Sequence, residues 1–266
     1  MKTLINGIEC SYETHGPRTG IPVVLIHGFP FSKEMWQPQV HALKASNYVI
    51  TYDVRGHGES GIGDGQYTIE LFVDDLIALL DHLRVGKVVI VGLSMGGYIA
   101  LRAAERHPDR FRALILCDTR SEADGNEGKI KRAQQAGIVK RDGMKSFANT
   151  FVPALFYKKT EQENPAVVEF IRSIVERTSP LAVAGTLTAL AARTDTTAAL
   201  YNITLPALIL VGQHDLLTPP SASEAMKQKL PNARLNILPR SGHLSNLENP
   251  EEFNSHVLKF LASLVR

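Results

Sequence analysis
Apolar residues recur along this chain in short unbroken runs at positions 23–26, 48–50, 88–91, 113–116 and 207–210. A run of that length without polar alternation has two apolar faces, as a strand needs when a parallel sheet is covered on both sides. The N-terminus is patterned differently. Residues 2–5 and 8–13 flank Asn6-Gly7, which supplies the two positive φ angles of a type I′ turn, so an antiparallel hairpin is expected at the start. Between the apolar runs the period changes to that of a helix. Phe72, Leu76, Leu79, Leu80 and Leu83 share one helix face after Thr68. Phe253, Val257, Phe260, Leu261 and Leu264 do the same near the C-terminus, with Asn249 as the expected N-cap and Glu252 placed to complete a capping box. Strands alternating with helices predict an α/β architecture: a mostly parallel central sheet with an antiparallel start, right-handed crossovers and helices on both faces.

The alternation fails over one long stretch. Residues 119–203 hold no strand-like run, only helical pieces near 129–140, 144–156, 165–178 and 181–192. The chain is therefore expected to divide into a core of residues 1–118 and 204–266 and a helical insertion of residues 119–203. At 266 residues and 44% hydrophobic content, a single large core is within reach. A net charge of +2 excludes the strongly positive field that holds phosphate backbones, so nucleic acid is not an expected partner. The basic cluster at 129–132 reads as a solvated helix face. No apolar run approaches the roughly 20 residues of a membrane span, and Asn6-Gly7 interrupts any secretory apolar core. Cys10 and Cys117 lack a Cys-x-x-Cys spacing and read as buried thiols of a cytoplasmic protein.

The strongest chemical signal is Gly92-Leu93-Ser94-Met95-Gly96, set between a predicted strand and a predicted helix. Glycines two before and two after the serine permit a sharp turn that lifts its hydroxyl clear of both elements, at the positive end of the helix. A serine hydroxyl needs a base, and the base needs an orienting carboxylate. Where this turn occurs, acid and then histidine follow the serine in chain order. Asp215, after the run at 207–210, and His243, in Ser241-Gly242-His243, fit that order. Of the nine histidines, His15 and His57 lie well before Ser94, His214 would have to reach sideways, and His41, His82, His107 and His256 fall on helical stretches. Asp118, at the end of the strand through Cys117, is the rival acid. The loop His27-Gly28-Phe29-Pro30 completes the set: the N–H groups of Phe29 and Met95 are the expected oxyanion donors, and His27 reads as structural. The polar, glycine-rich segment 53–60 matches no phosphate cradle or metal set, and neither a cofactor nor a metal is expected.

These residues closely resemble the α/β-hydrolase superfamily, and within it the small microbial carboxylesterases, the 3-oxoadipate enol-lactonases and the cofactor-free haloperoxidases. The resemblance covers nearly the whole chain, through His27-Gly28-Phe29-Pro30, the segment 52–60, Gly92-Leu93-Ser94-Met95-Gly96-Gly97-Tyr98, Cys117-Asp118-Thr119-Arg120, Gly212-Gln213-His214-Asp215 and Ser241-Gly242-His243. It implies an α/β-hydrolase fold with residues 119–203 as a cap, Ser94 as nucleophile, His243 as base, Asp215 as its orienter, and Phe29 and Met95 as oxyanion donors. Serine, not aspartate, at the nucleophile position disfavours the dehalogenase and epoxide hydrolase branches. The implied activity is carboxylesterase action on small esters. Lactonase and perhydrolase activities use the same residues, and a hydrolase-fold ligand receptor is the alternative of a different class. The insertion's apolar residues, Phe147, Phe151, Leu155, Phe156, Ile171, Ile174, Leu187 and Leu190, are expected to divide between packing and a mostly apolar acyl pocket. Oligomeric state is left open.

Overall fold
The structure is a computed structural model, which describes residues 1–265. The expected hairpin is present: β1 (Lys2–Ile5) and β2 (Ile8–His15) pair antiparallel, and Asn6 and Gly7 both adopt positive φ, 42° and 78°. The apolar runs form β3 (Ile21–Ile26), β4 (Asn47–Tyr52), β5 (Val88–Leu93), β6 (Phe111–Cys117) and β7 (Ala207–Gly212). With β8 (Ala233–Leu238) they make an eight-stranded sheet ordered β1-β2-β4-β3-β5-β6-β7-β8. Every pairing from β4 to β8 is parallel, and β2 meets β4 antiparallel.

The strand order places the site. From β3 the chain crosses to β4 on one side, then returns past β3 to β5 on the other, so the sheet reverses its winding between β3 and β5. Right-handed crossovers in opposite directions put the connecting helices α1 (Gln37–Leu43) and α2 (Ile69–His82) on opposite faces. The connections leaving the carboxyl ends of β3 and β5 run to opposite sides at that reversal, and a crevice opens there. Thr68 starts α2 as its N-cap, its Oγ1 accepting from Leu71 N–H at 3.0 Å. α3 (Met95–Arg106) follows β5 directly and packs beside α2.

No strand interrupts residues 119–203, which carry α4 (Asn126–Phe151), α5 (Thr160–Glu163), α6 (Pro165–Arg177) and α7 (Pro180–Ala192). The two helical pieces expected at 129–140 and 144–156 run on as α4, broken at Gly143, whose φ of 77° only glycine adopts freely. After β7 come α8 (Pro220–Lys229), α9 (Ser245–Glu248) and α10 (Pro250–Ser263). The capping box expected at the start of α10 does not form. Asn249 turns its amide outward and donates Nδ2–H to Glu252 Oε2 at 2.9 Å, leaving no side-chain bond to the helix N–H groups. α10 packs on α1, where Phe253 lies against Trp36, their ring centres 6.4 Å apart.

Candidate active site
Ser94 sits at the corner between β5 and α3 with φ 53° and ψ −112°, outside the regions that a non-glycine residue prefers. The flanking glycines make this corner possible by close approach. A Cβ on Gly92 would lie 2.1 Å from the carbonyl oxygen of Gly96, and a Cβ on Gly96 would lie 2.2 Å from that of Ile26. The corner is also tied down: Ser94 N–H donates to Cys117 O at 2.9 Å, and Thr119 Oγ1–H donates to Ser94 O at 2.8 Å.

The loops after β7 and β8 bring Asp215 and His243 to the same crevice. His243 Nε2 lies 2.8 Å from Ser94 Oγ, and His243 Nδ1 lies 2.8 Å from Asp215 Oδ2. His243 and Asp215 are almost fully buried, at 3% and 2% exposure. Burial alone would raise the Asp215 carboxyl, but the His243 ring and the hydrogen bonds from Thr218 outweigh it and hold Asp215 below the ordinary carboxylate range. Burial likewise works against a protonated His243, yet the adjoining Asp215 charge prevails and raises the ring above its ordinary value. The pair therefore suits a neutral imidazole with Nδ1–H toward the carboxylate and its Nε2 lone pair toward the serine.

Asp118, the rival acid, is fully buried with φ 44° and makes no hydrogen bond to His243. Its Oδ1 accepts from Gly212 N–H at 2.8 Å and its Oδ2 from Ser245 Oγ–H at 2.5 Å, so it stitches the ends of β6 and β7 to α9. Burial, and then the charge of Asp215, push its carboxyl well above the ordinary range. His27 is structural, as expected. Its Nδ1–H donates to Gly28 O at 2.8 Å and its Nε2 accepts from Val54 N–H at 2.9 Å, while burial lowers its pKa to about 4. The segment 53–60 is a loop fastened by Asp53, which accepts from Lys33 N–H and Lys33 Nζ at 2.7 and 2.8 Å and from Glu59 N–H at 3.0 Å.

The two expected oxyanion donors border the same cavity, of about 200 Å³, as Ser94 and His243. Met95 is the first residue of α3, where a helical N–H has no acceptor one turn back, and Phe29 lies in the loop after β3, across the winding reversal. Sequence reading did not single out Thr218. Its Oγ1–H donates to Asp215 Oδ2 at 2.7 Å, and its N–H and that of Leu217 donate to Asp215 Oδ1 at 3.0 and 2.8 Å. The signal was the Asp-x-x-Thr spacing, a local turn in which the side chain accepts from backbone two and three residues ahead. Glu248 also escaped notice. It accepts from Tyr157 N–H at 2.8 Å and Gly242 N–H at 2.6 Å, and so ties the insertion to the loop that carries His243.

The cavity lining departs from the apolar expectation. Phe29, Met95, Phe151, Leu190 and Leu217 supply apolar surface, but Arg120, Asp124, Lys131, Arg132 and Gln135 border it as well. Of the insertion's eight expected apolar candidates only Phe151 and Leu190 reach the cavity, whereas Phe147, Leu155, Phe156, Ile171, Ile174 and Leu187 are buried in packing. The reason is the approach of the insertion. α4 brings charged side chains of its N-terminal half to the cavity, and of the two phenylalanines in its C-terminal half only Phe151 reaches it while Phe147 is covered.

Among the described residues no group of histidine, cysteine and acidic side chains is arranged to hold a metal ion, and no helix is long and apolar enough to cross a membrane. Residues 21–250 match the family model for the alpha/beta hydrolase fold. A thermophilic esterase from Thermogutta terrifontis, solved with malate bound, superposes with a TM-score of 0.94 at 38% identity, over 99% of this chain and 97% of that one. The enol-lactonase from Burkholderia xenovorans LB400 follows with a TM-score of 0.92 at 32% identity, over 98% and 100% of the two chains. Among curated proteins, 3-oxoadipate enol-lactonase 2 of Acinetobacter baylyi is 29% identical over 250 residues, 94% of this chain and 92% of that protein. A sheet that reverses its winding between β3 and β5, a serine at the strained corner after β5 and a family match over most of the length agree: the chain belongs to the alpha/beta hydrolase fold family.

Proposed function
We propose that this protein is a serine hydrolase that cleaves small carboxylic esters through an acyl-enzyme. The observation that carries the reading is the unbroken line of contacts from Ser94 Oγ through His243 to Asp215, each link 2.8 Å, at the border of one cavity. In the first step Ser94 Oγ attacks the ester carbonyl carbon while its proton passes to His243 Nε2. Asp215 stabilises the resulting imidazolium, and the N–H groups of Met95 and Phe29 receive the tetrahedral oxyanion. Collapse of that intermediate breaks the bond to the alkoxide, which leaves with the proton from Nε2. Water then attacks the acyl-enzyme with His243 again as base, releasing the acid and restoring Ser94. With a cyclic ester the same attack opens the ring and the alcohol stays attached to the acyl group. The two enol-lactonase relatives favour this lactonase reading as the second one.

In this proposal residues 1–118 and 204–266 form the catalytic core and residues 119–203 a cap over the cavity. The protein works in the cytoplasm, a reducing compartment that suits two buried cysteines without a disulfide.

A fluorophosphonate probe tests the assignment. The expected result is a single adduct on Ser94, located by mass spectrometry, and a loss of roughly four orders of magnitude in p-nitrophenyl acetate turnover in Ser94→Ala. An adduct on another residue, or near-normal turnover in Ser94→Ala, overturns the mechanism. A ligand receptor would instead release product once per molecule and then stall.

A further inference from the structure
Among the described residues, the charged part of the cavity is built around one carboxylate and several cations. Asp124 is 7% exposed. Its Oδ1 accepts from Arg120 Nη2 at 2.6 Å and lies 3.0 Å from Arg193 Nη1, and its Oδ2 accepts from Arg132 Nε. Burial alone would raise Asp124, but Arg132 and Arg193 outweigh it and keep the carboxylate ionised. Lys131, the residue before Arg132, borders the cavity as well. At the border of the cavity three cations, Arg120, Lys131 and Arg132, thus stand with the single carboxylate of Asp124, which is shared with Arg193 behind it, in a chain whose net charge is only +2.

The arginines differ in what else they do. Arg193 is structural: it donates to Leu190 O and Glu122 O at 2.9 and 2.6 Å, stacks on Tyr98 at 4.3 Å, and has Asp195 as a second acid nearby. Arg120 and Arg132 each give one N–H to Asp124, and a guanidinium carries five. Arg120 Nε, like Arg193 Nε, is buried with no acceptor, but Arg120 borders the cavity and Arg193 does not. A guanidinium does not shed its charge, so cations gathered in excess at a partly enclosed cavity lower their free energy by taking up an anion. Their planar donor pairs match a carboxylate, and Asp124 holds both guanidiniums in place before any ligand arrives.

We propose that Arg120, Lys131 and Arg132 form an anion subsite in the same cavity as Ser94, so that the enzyme selects esters or lactones that carry a free carboxylate. The inference rests on the serine hydrolase reading and narrows it. The free carboxylate meets the arginines, the carbon chain lies along Phe151 and Leu190, and the scissile carbonyl reaches Ser94. A long neutral acyl chain would instead strip water from these cations without replacing it.

Monoethyl adipate and diethyl adipate test the subsite, because they share one acyl skeleton and differ in one charge. With the 266-residue chain at low ionic strength, kcat/KM is expected to favour the monoester by about tenfold, chiefly through KM, and the preference to shrink at roughly 0.5 M salt. Arg132→Gln and Lys131→Gln are expected to lose more on the monoester than on the diester. Arg132→Lys, which keeps the charge, should recover part of the preference, and Lys131 is an exposed position where folding is not at risk. Calorimetry of monoethyl adipate with Ser94→Ala reads the subsite without turnover: binding is expected there and is expected to weaken when Arg132→Gln is added. Equal or better hydrolysis of the diester by a protein that still takes the fluorophosphonate on Ser94 means that the arginines are a structural ion-pair network only, and overturns the subsite alone. Absence of both labelling and turnover overturns the hydrolase reading, and with it the selection of substrate.

Discussion
Two buried aspartates lie near one histidine, and hydrogen bonding separates them. Asp215 accepts three bonds from Thr218 and Leu217 and faces His243 Nδ1, an arrangement that favours its ionised form. Asp118 faces Gly212 N–H and the Ser245 hydroxyl, and asparagine reproduces that geometry with its oxygen toward the first and its NH₂ toward the second. Asp215→Asn is therefore expected to lower kcat/KM by roughly three to four orders of magnitude. Asp118→Asn should stay within about tenfold of the parent. The pH profile supplies a second check. On the proposed mechanism turnover needs neutral His243, whose pKa is raised, so the acid limb of kcat/KM should rise with pH through a value above the ordinary histidine range of about 6.5. Asp215→Asn removes the main influence that raises it, and the limb should move toward lower pH. A limb that stays where it was would assign the titration to another group. At this scale the sequence was readable to a definite depth. Ser94, Asp215 and His243 follow from turn type and chain order, but Asp118 and Asp215 are both acids at strand ends, and only the third dimension shows which of them meets the ring.

At the scale of elements, α4 divides its labour along its length. Its N-terminal half brings Lys131, Arg132 and Gln135 to the cavity, and its C-terminal half stacks Phe147 on Phe151, ring centres 4.9 Å apart, with Phe29 edge-on to both. Phe151 borders the cavity and Phe147 supports it from behind, at 2% exposure. Phe151→Ala is expected to change the relative kcat/KM across a series of p-nitrophenyl esters gradually, since each methylene is worth only about 0.8 kcal/mol. Phe147→Ala should cost roughly 3 kcal/mol or more of stability, read from the urea midpoint, through the hole left in packing. An unchanged ester profile in Phe151→Ala would remove this residue from the acyl pocket. Helical spacing alone could not tell these two phenylalanines apart, because residues four apart share a face and only the neighbouring β3 loop decides which one is covered.

For the molecule as a whole, the loops that frame the site are held by ion pairs taken out of water. Arg55, in the loop after β4, donates from Nε and Nη2 to both oxygens of Asp75 on α2 at 2.7 Å, with both residues nearly buried. Removing one partner strands the other charge, so Asp75→Ala is expected to destabilise by roughly 3–5 kcal/mol, visible as a lower urea midpoint with an unchanged slope. An unshifted midpoint would mean that Arg55 reaches solvent.

Much of this architecture was legible from local rules. Unbroken apolar runs name the strands, Asn6-Gly7 names the hairpin, and the glycines around Ser94 mark a corner that other residues would block, since each of these signals acts over a few residues through sterics or periodicity. The order of the strands, the choice between Asp118 and Asp215, and the union of Arg120, Arg132 and Arg193 on Asp124 were decided only by the tertiary structure. Strand pairing, the Asp215–His243 contact and the Asp124–Arg193 pair join residues far apart in the chain, and Arg120 and Arg132, though near Asp124 in sequence, carry no local mark of the partner they will meet. A polar residue is free to face water until folding closes a cavity around it. Its role is then set by the charges gathered there, which no stretch of sequence contains by itself.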